Sequence, residues 1–244
     1  MKKDNFDISK LPDSGYVIFP LSISRLFTGQ SPEVIYDFLK FFEQKIESIS
    51  NDVVLLYTDG LYLNSEDKAL DLRKKMLNQM LDHKEKLLKL IYKEKKYVPK
   101  AFHFMTFDNA IINAEGYNEA KAKLTSEYSS NENFKKAILS DLEKYDRDEA
   151  DTNVSFLIEE VVVDHLLKQK AVPFPHTLTN PNGWRLMCYP GDPLNSSVFV
   201  YKHQLLQRRN DFDKINLLFA RSLYNMDTRV LMDFDVLIAQ EQVS

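Results

Sequence analysis

One cysteine in 244 residues, Cys188, rules out an internal disulfide and any cysteine-built zinc site, and suits a reducing compartment. Glycine is scarce too, with six in the chain. None of them falls in the Gly-x-Gly-x-x-Gly turn of a dinucleotide site or in the phosphate-cradling Gly-x-x-x-x-Gly-Lys loop. No His-Glu-x-x-His zinc helix is present, and His83, His103, His165, His176 and His203 are scattered. Asp164 and His165 are sequence neighbours that project about 100° apart on a helix, which is not triad geometry. Nucleotide, metal and triad chemistry thus lack their sequence marks, and neither a metal nor a cofactor is expected. No apolar run approaches the roughly 18 residues of a membrane helix, and Met1-Lys2-Lys3-Asp4-Asn5-Phe6-Asp7 lacks the apolar core of a signal peptide. A cytoplasmic protein without a membrane partner is expected. An excess of one charge is lacking as well: 32 basic against 36 acidic residues give a net charge of −4, so attraction to a polyanion has to come from local clusters.

What the chain has is ordinary globular material, 44% apolar and 28% charged. A single domain over 1–244 is expected, with 1–14 a flexible N-terminus and 172–195 a loop region punctuated by proline and glycine. The apolar segment Gly15-Tyr16-Val17-Ile18-Phe19-Pro20-Leu21 reads as a strand that runs out at Ser22. Ser31-Pro32-Glu33 then reads as a helix start, with a hydroxyl cap, proline at the first helical position and an acid near the positive end of the dipole. Ile35, Phe38, Leu39, Phe42, Ile46 and Ile49 recur at helical spacing behind it. A second strand follows at Val53–Gly60, giving a βαβ unit. A long charged helix is predicted over Glu66–Tyr97 and a third strand over Ala101–Phe107. Helices are predicted at Tyr117–Tyr128, Asn133–Tyr145 and Val154–Gln169, the last capped by Asp151 or Asn153. Trp184–Tyr189 and Ser196–Tyr201 read as further strands, the latter followed by a helical pattern through Leu205, Leu206 and Phe212. The segment from Asn216 to Ile238 is apolar enough to pack on the core. The fold class is α/β, with a mostly parallel sheet flanked by helices.

In open parallel sheets ligands bind beyond the carboxyl ends of the strands, so Ser22, Ser24 and Asp59 are expected on one rim. Ser22 is the candidate nucleophile, although a serine at a strand end ordinarily just solvates a turn until a base takes its proton. Phe156 and Glu160 lie four apart on one helical face among valines and isoleucine, where a carboxylate can bind an amine or relay a proton. Tyr201 is a candidate proton donor. On the long helix, Lys75, Lys86, Lys89, Lys93 and Lys96 fall on one side, with Leu77, Met80, Leu81, Leu88 and Ile91 opposite as the expected core face. Arg73 and Lys74 enlarge a basic stripe suited to a phosphodiester backbone, although Asp82, Glu85 and Glu94 are interspersed.

Taken in order, three patches resemble the tRNA-dependent cyclodipeptide synthases. The strand entering Ser22 resembles the segment holding the family's acylated serine. Leu56-Tyr57-Thr58-Asp59 with Arg73-Lys74-Lys75 resembles the region where the family binds tRNA, and Ser196-Ser197-Val198-Phe199-Val200-Tyr201-Lys202-His203-Gln204-Leu205-Leu206 resembles the segment of its catalytic tyrosine. The resemblance implies a Rossmann-like domain similar to the catalytic domain of class I tyrosyl- and tryptophanyl-tRNA synthetases, working without ATP. It implies two aminoacyl-tRNAs used in sequence: Ser22 takes the first aminoacyl group, the second charged tRNA extends it, and the free amine closes a diketopiperazine. Glu160 matches the glutamate that holds the aminoacyl ammonium, and Tyr201 the tyrosine that assists proton transfer. Pro20, Ser24, Tyr57, Asp59 and Phe156 are expected around the substrate pocket. Arg73, Lys74, Lys75, Lys86, Lys89, Lys93 and Lys96 are expected to bind tRNA. The chain departs from the family pattern at Phe156, where the family has a tyrosine, at Pro20, where it has a glycine, and at Lys202 after the tyrosine. A single aminoacyl transfer to another small acceptor, or tRNA binding without chemistry, are the alternatives.

Overall fold

The computed structural model describes residues 15–45, 52–58, 69–94, 101–106, 111, 114–172 and 183–241. The expectations for the N-terminal 1–14, for Asp59, for Lys96 and for the middle of the proline-rich stretch lie outside them. The chain divides into two compact units: Met1–Phe107 with Phe174–Gly191 and Tyr224–Leu231, and Asp108–Pro173 with Asp192–Leu223 and Met232–Ser244.

The first unit is built on parallel strands. β1 (Gly15–Leu21), β2 (Asp52–Tyr57) and β3 (Ala101–Thr106) alternate with α1 (Pro32–Lys45) and α2 (Ala69–Glu94), and β4 (Trp184–Tyr189) follows. With β5 (Ser222–Asn225) and β6 (Val230–Asp233) they form a six-stranded sheet in the order β3-β2-β1-β4-β5-β6. The pairs β1–β2, β2–β3, β1–β4 and β4–β5 are parallel. Four residues join β5 to β6, too few for a parallel crossover, so that last pair is antiparallel. The strands of a central parallel sheet are covered on both faces, which is why β1 and β2 are continuous apolar runs, buried at nearly every residue. The order is that of a doubly wound Rossmann-like sheet, and it reverses between β1 and β4.

The helix start at Ser31 is as the sequence indicates: α1 begins at Pro32, and the Val34 amide donates to Ser31 Oγ at 3.4 Å. Ile35, Phe38 and Leu39 are buried beneath it. The core face of α2 agrees with the expected one only in part. Met76, Met80, His83, Leu87 and Ile91 are buried, at spacings of three and four, while Leu77 and Leu81 are exposed and Leu88 is only half-buried. Met80 and Ile91 lie on the expected face, while Leu77, Leu81 and Leu88 give way to Met76, His83 and Leu87, because a polar residue, His83, occupies the centre of the buried stripe.

The second unit is helical: α3 (Tyr117–Ser130), α4 (Glu132–Lys144), α5 (Asp151–Lys168), α6 (Asn195–His203), α7 (Lys214–Ala220) and α8 (Phe234–Glu241). α5 packs against α3, α4, α6 and α7, and α6 packs against α4 and α8. Three expectations are corrected here. Ser196–Tyr201 is not a strand but most of α6. Its β-branched and aromatic run reads as extended, yet the Asp141 carboxylate on α4 accepts hydrogen bonds from the Asn195 amide (2.8 Å), the Ser196 amide (2.8 Å) and the Ser196 hydroxyl (2.6 Å). A carboxylate on the first amides of a helix supplies the cap that the local sequence lacks. The helical pattern through Leu205 and Phe212 is irregular chain, and the helix that follows starts only at Lys214, capped by Asp213. Finally, neither Asp151 nor Asn153 caps α5. Its cap residue is Ala150, whose amide donates to Asp148 Oδ1 (3.3 Å).

Candidate active site

Ser22 is the first residue past β1, at the carboxyl edge of the sheet where the strand order reverses. It is half-buried, and Ser24, on the single 3-10 turn Ile23–Arg25, is exposed. Their hydroxyl oxygens lie 3.0 Å apart. Proline is unusual in an interior strand, but the β1–β4 ladder ends at Ile18↔Met187. Pro20 therefore lies beyond the part of β1 that β4 pairs.

The backbone around Ser22 is held on every side. Gln30 Nε2 donates to the Pro20 carbonyl (2.8 Å), and the Ser22 amide donates to Gln30 Oε1 (2.8 Å). The Leu21 carbonyl accepts from the Thr58 amide (2.9 Å) and hydroxyl (3.0 Å), and the Ser22 carbonyl accepts from the Arg25 amide (2.9 Å). Gln30 is itself fixed. His83 Nε2 donates to its main-chain carbonyl (2.9 Å), and the Tyr57 hydroxyl donates to His83 Nδ1 (3.0 Å). A carbonyl can only accept, so Nε2 carries the proton and Nδ1 is left to accept the phenol. Burial pushes the His83 pKa down, partly opposed by the hydrogen bond to Gln30, which keeps the ring neutral. Tyr57, expected in the pocket, is buried, with its hydroxyl engaged by His83.

Phe156 and Glu160 lie one turn apart on α5. Phe156 is buried, with the Arg147 guanidinium 4.4 Å from its ring centroid, and Glu160 is half-buried. The more deeply buried acid is its neighbour Glu159, which pairs with Lys121. Tyr201 is half-buried in the last turn of α6, its ring edge-on to Phe234 at 5.6 Å and under the Arg208 guanidinium at 4.2 Å. Burial, then the Asp235 charge, raise its pKa above the ordinary 10, a value at which a phenol is already protonated and able to donate at neutral pH. Tyr201 lines a cavity of about 10 Å³ with Asp164, His165, Lys168, Ser197 and Arg208, room for a single water. The Lys168 ammonium is buried there, 2.8 Å from Asp164 and 4.0 Å over the Phe234 ring, and burial lowers its pKa.

On α2, Arg73, Lys74, Lys75, Lys86, Lys89 and Lys93 are all exposed. Lys86 pairs with Asp82 at 2.8 Å and Lys89 with Glu85 at 2.6 Å, so two of the expected tRNA contacts carry acidic neighbours. The first unit thus groups Pro20, Ser22 and Ser24 at one strand end, and the second places Phe156, Glu160 and Tyr201 on two packed helices. Gln30, His83 and Asp141 escaped the sequence reading. Each is polar, each is fully buried, and each works through partners distant in sequence.

No protein-family model matches the chain, and no curated protein matches it by sequence. Solved structures do. A cyclodipeptide synthase from Fluoribacter dumoffii superposes with a TM-score of 0.58 at 16% identity, covering 84% of this chain and 89% of that one. A cyclodipeptide synthase from Staphylococcus haemolyticus gives 0.54 at 14% identity, over 86% and 92%. A cyclodipeptide synthetase structure from Mycobacterium tuberculosis, described as showing that these enzymes are related to type I tRNA synthetases, gives 0.50 at 15% identity over 80% of each chain. At such identities the shared property is the fold. This chain has the α/β fold of the cyclodipeptide synthases.

Proposed function

We propose that the protein is a divergent cyclodipeptide synthase that uses aminoacyl-tRNAs as activated substrates through an ester on Ser22. The observation that carries the proposal is the position of Ser22, half-buried at the carboxyl end of β1 where the strand order reverses, in a sheet with the fold of that family. The Ser22 hydroxyl attacks the ester carbonyl of the first charged tRNA, giving aminoacyl-Ser22 and releasing the tRNA 3′-terminal hydroxyl. The amine of that aminoacyl group attacks the ester of a second charged tRNA, giving dipeptidyl-Ser22 and a second free tRNA. The terminal amine then attacks the Ser22 ester, closing the diketopiperazine and regenerating the serine. Each step exchanges one ester for another ester or an amide, so no nucleotide is consumed. Glu160 holds the aminoacyl ammonium by charge, and Tyr201, a neutral phenol, donates and recovers a proton. Fixed orientation of the reacting groups supplies much of the acceleration.

The test is incubation with a full set of aminoacyl-tRNAs, reading the intact protein and the small-molecule products by mass spectrometry. The wild type gains one aminoacyl mass and releases cyclic dipeptides, and Ser22→Ala does neither while still binding tRNA. Product formation by Ser22→Ala at the wild-type rate refutes the assignment. An acyl-enzyme that discharges to a linear product identifies a single-transfer enzyme instead.

A further inference from the structure

The buried chain that ends on Ser22 contains no residue to which a chemical step has been assigned, yet it has a direction. The Tyr57 hydroxyl donates to His83 Nδ1, His83 Nε2 donates to the main-chain carbonyl of Gln30, and the Gln30 side chain brackets Ser22 by donating to the Pro20 carbonyl and accepting from the Ser22 amide. Tyr57, His83 and Gln30 are at most 2% exposed, so water does not compete for these bonds. Three elements contribute: Tyr57 ends β2, His83 is central on α2, and Gln30 precedes α1. The arrangement is more demanding than packing requires. An apolar side chain fills the same space, whereas a primary amide alone serves one acceptor and one donor two residues apart on one strand end. The groups facing His83 are Tyr57 and the Gln30 carbonyl by hydrogen bond, the Phe27 ring edge-on at 6.3 Å, and Glu33, Asp82 and Lys86 through their charges.

We infer that Gln30 is a positioning residue for the Ser22 nucleophile, locked in place by Tyr57 and His83. The inference rests on the proposed role of Ser22 and deepens it. Gln30 fixes the peptide planes on both sides of Leu21, which sets the direction of the Ser22 Cα–Cβ bond and hence where its hydroxyl meets an incoming ester. Without the amide, the Ser22 N–H and the Pro20 carbonyl lose their shared partner; Thr58 still holds the Leu21 carbonyl and Arg25 the Ser22 carbonyl, but the bracket that fixes the two peptide planes against each other is gone. Because the amide touches neither the ester nor the tRNA, its loss slows acylation without weakening substrate binding.

The experiment compares the wild type, Gln30→Met and Tyr57→Phe in single-turnover acylation by charged tRNA, with the Kd for that tRNA measured alongside. Methionine keeps the volume of glutamine and removes both hydrogen bonds. Gln30→Met is expected to acylate roughly 10- to 100-fold more slowly, in line with the effect of an ångström-scale misplacement, with Kd unchanged within about twofold. Tyr57→Phe, which loosens the lock at its far end, is expected to fall less. Equal acylation by wild type and Gln30→Met overturns the role of Gln30, as does a Kd that rises in proportion to the lost rate. Hydrogen exchange on the wild type needs no variant to fold: the Ser22 amide exchanges slowly if it is bound to Gln30, and exchange at the rate of an open loop overturns the inference. Failure of the wild type to acylate, with the Ser22 amide protected, overturns the nucleophile assignment, and with it the catalytic meaning of Gln30, while leaving the hydrogen-bonded chain in place.

Discussion

Gly15 and Trp184 face each other across the β1–β4 ladder so closely that a Cβ on Gly15 would stand 2.1 Å from Trp184 Cδ2. The indole covers bare backbone at the start of the central strand, and Trp184 is 3% exposed. Gly15→Ala therefore forces the buried ring aside and should destabilise the protein by about 1–3 kcal/mol, the usual cost of overpacking. Urea denaturation measures it, and an unchanged midpoint shows that the ring moves freely.

Asp141 decides whether the segment leading to Tyr201 is helical. Its carboxylate takes the first amides of α6, and it is fully buried. Asp141→Ala strands these donors and should cost about 2–3 kcal/mol, combining a lost cap with unpaired buried groups. Asp141→Asn keeps an acceptor and should cost less. Equal losses in the two variants, read by urea denaturation, indicate packing rather than capping.

Stability should fall as the solution is acidified below about pH 6.5, in part through His83. Burial depresses its pKa in the folded chain, so the unfolded chain takes the proton first. The contribution is complete above the ordinary histidine value of 6.5 and is lost as pH drops below it toward the depressed folded value, at no more than about 1.4 kcal/mol per pH unit for one group. His103 and His165 are shifted the same way by burial. Urea midpoints at pH 7.5 and 5.5 should separate less in His83→Asn than in the wild type.

The basic stripe on α2 is uneven. Lys86 and Lys89 share their charge with Asp82 and Glu85, whereas Arg73, Lys74 and Lys75 stand together near the start of the helix. Replacing the latter three by alanine should weaken tRNA binding and flatten its salt dependence more than replacing Lys86 and Lys89, since each phosphate contact adds roughly 0.7–0.9 to the slope. Filter binding at several salt concentrations compares them, and identical slopes for both variants show that the stripe does not track the backbone.

What was legible in the sequence is what depends on neighbours in the chain. The run from Gly15 to Leu21, the Ser31-Pro32 helix start and the strand Trp184–Tyr189 are local patterns, and the structure has each of them. The Ser196–Tyr201 segment misled because its decisive partner, Asp141, is 55 residues away from Ser196. On α2, Met80 and Ile91 are buried as their spacing indicates, but the rest of the core face is not legible because hydrophobicity cannot announce His83, whose burial is offset by Tyr57 and Gln30. Ser22 stood out because strand ends carry ligands in sheets of this kind. Gln30 did not, because a glutamine in a turn has no pattern until its two partners are seen.

The engagement of the Ser22 amide with Gln30 Oε1 reaches into transition-state chemistry. Serine hydrolases commonly use the nucleophile's own N–H as one arm of an oxyanion hole. Here that arm is turned inward, so with Ser22 as the proposed nucleophile the negative charge on the tetrahedral carbon's oxygen would fall to donors on other residues. Rate enhancement at this strand end is to be sought in those donors.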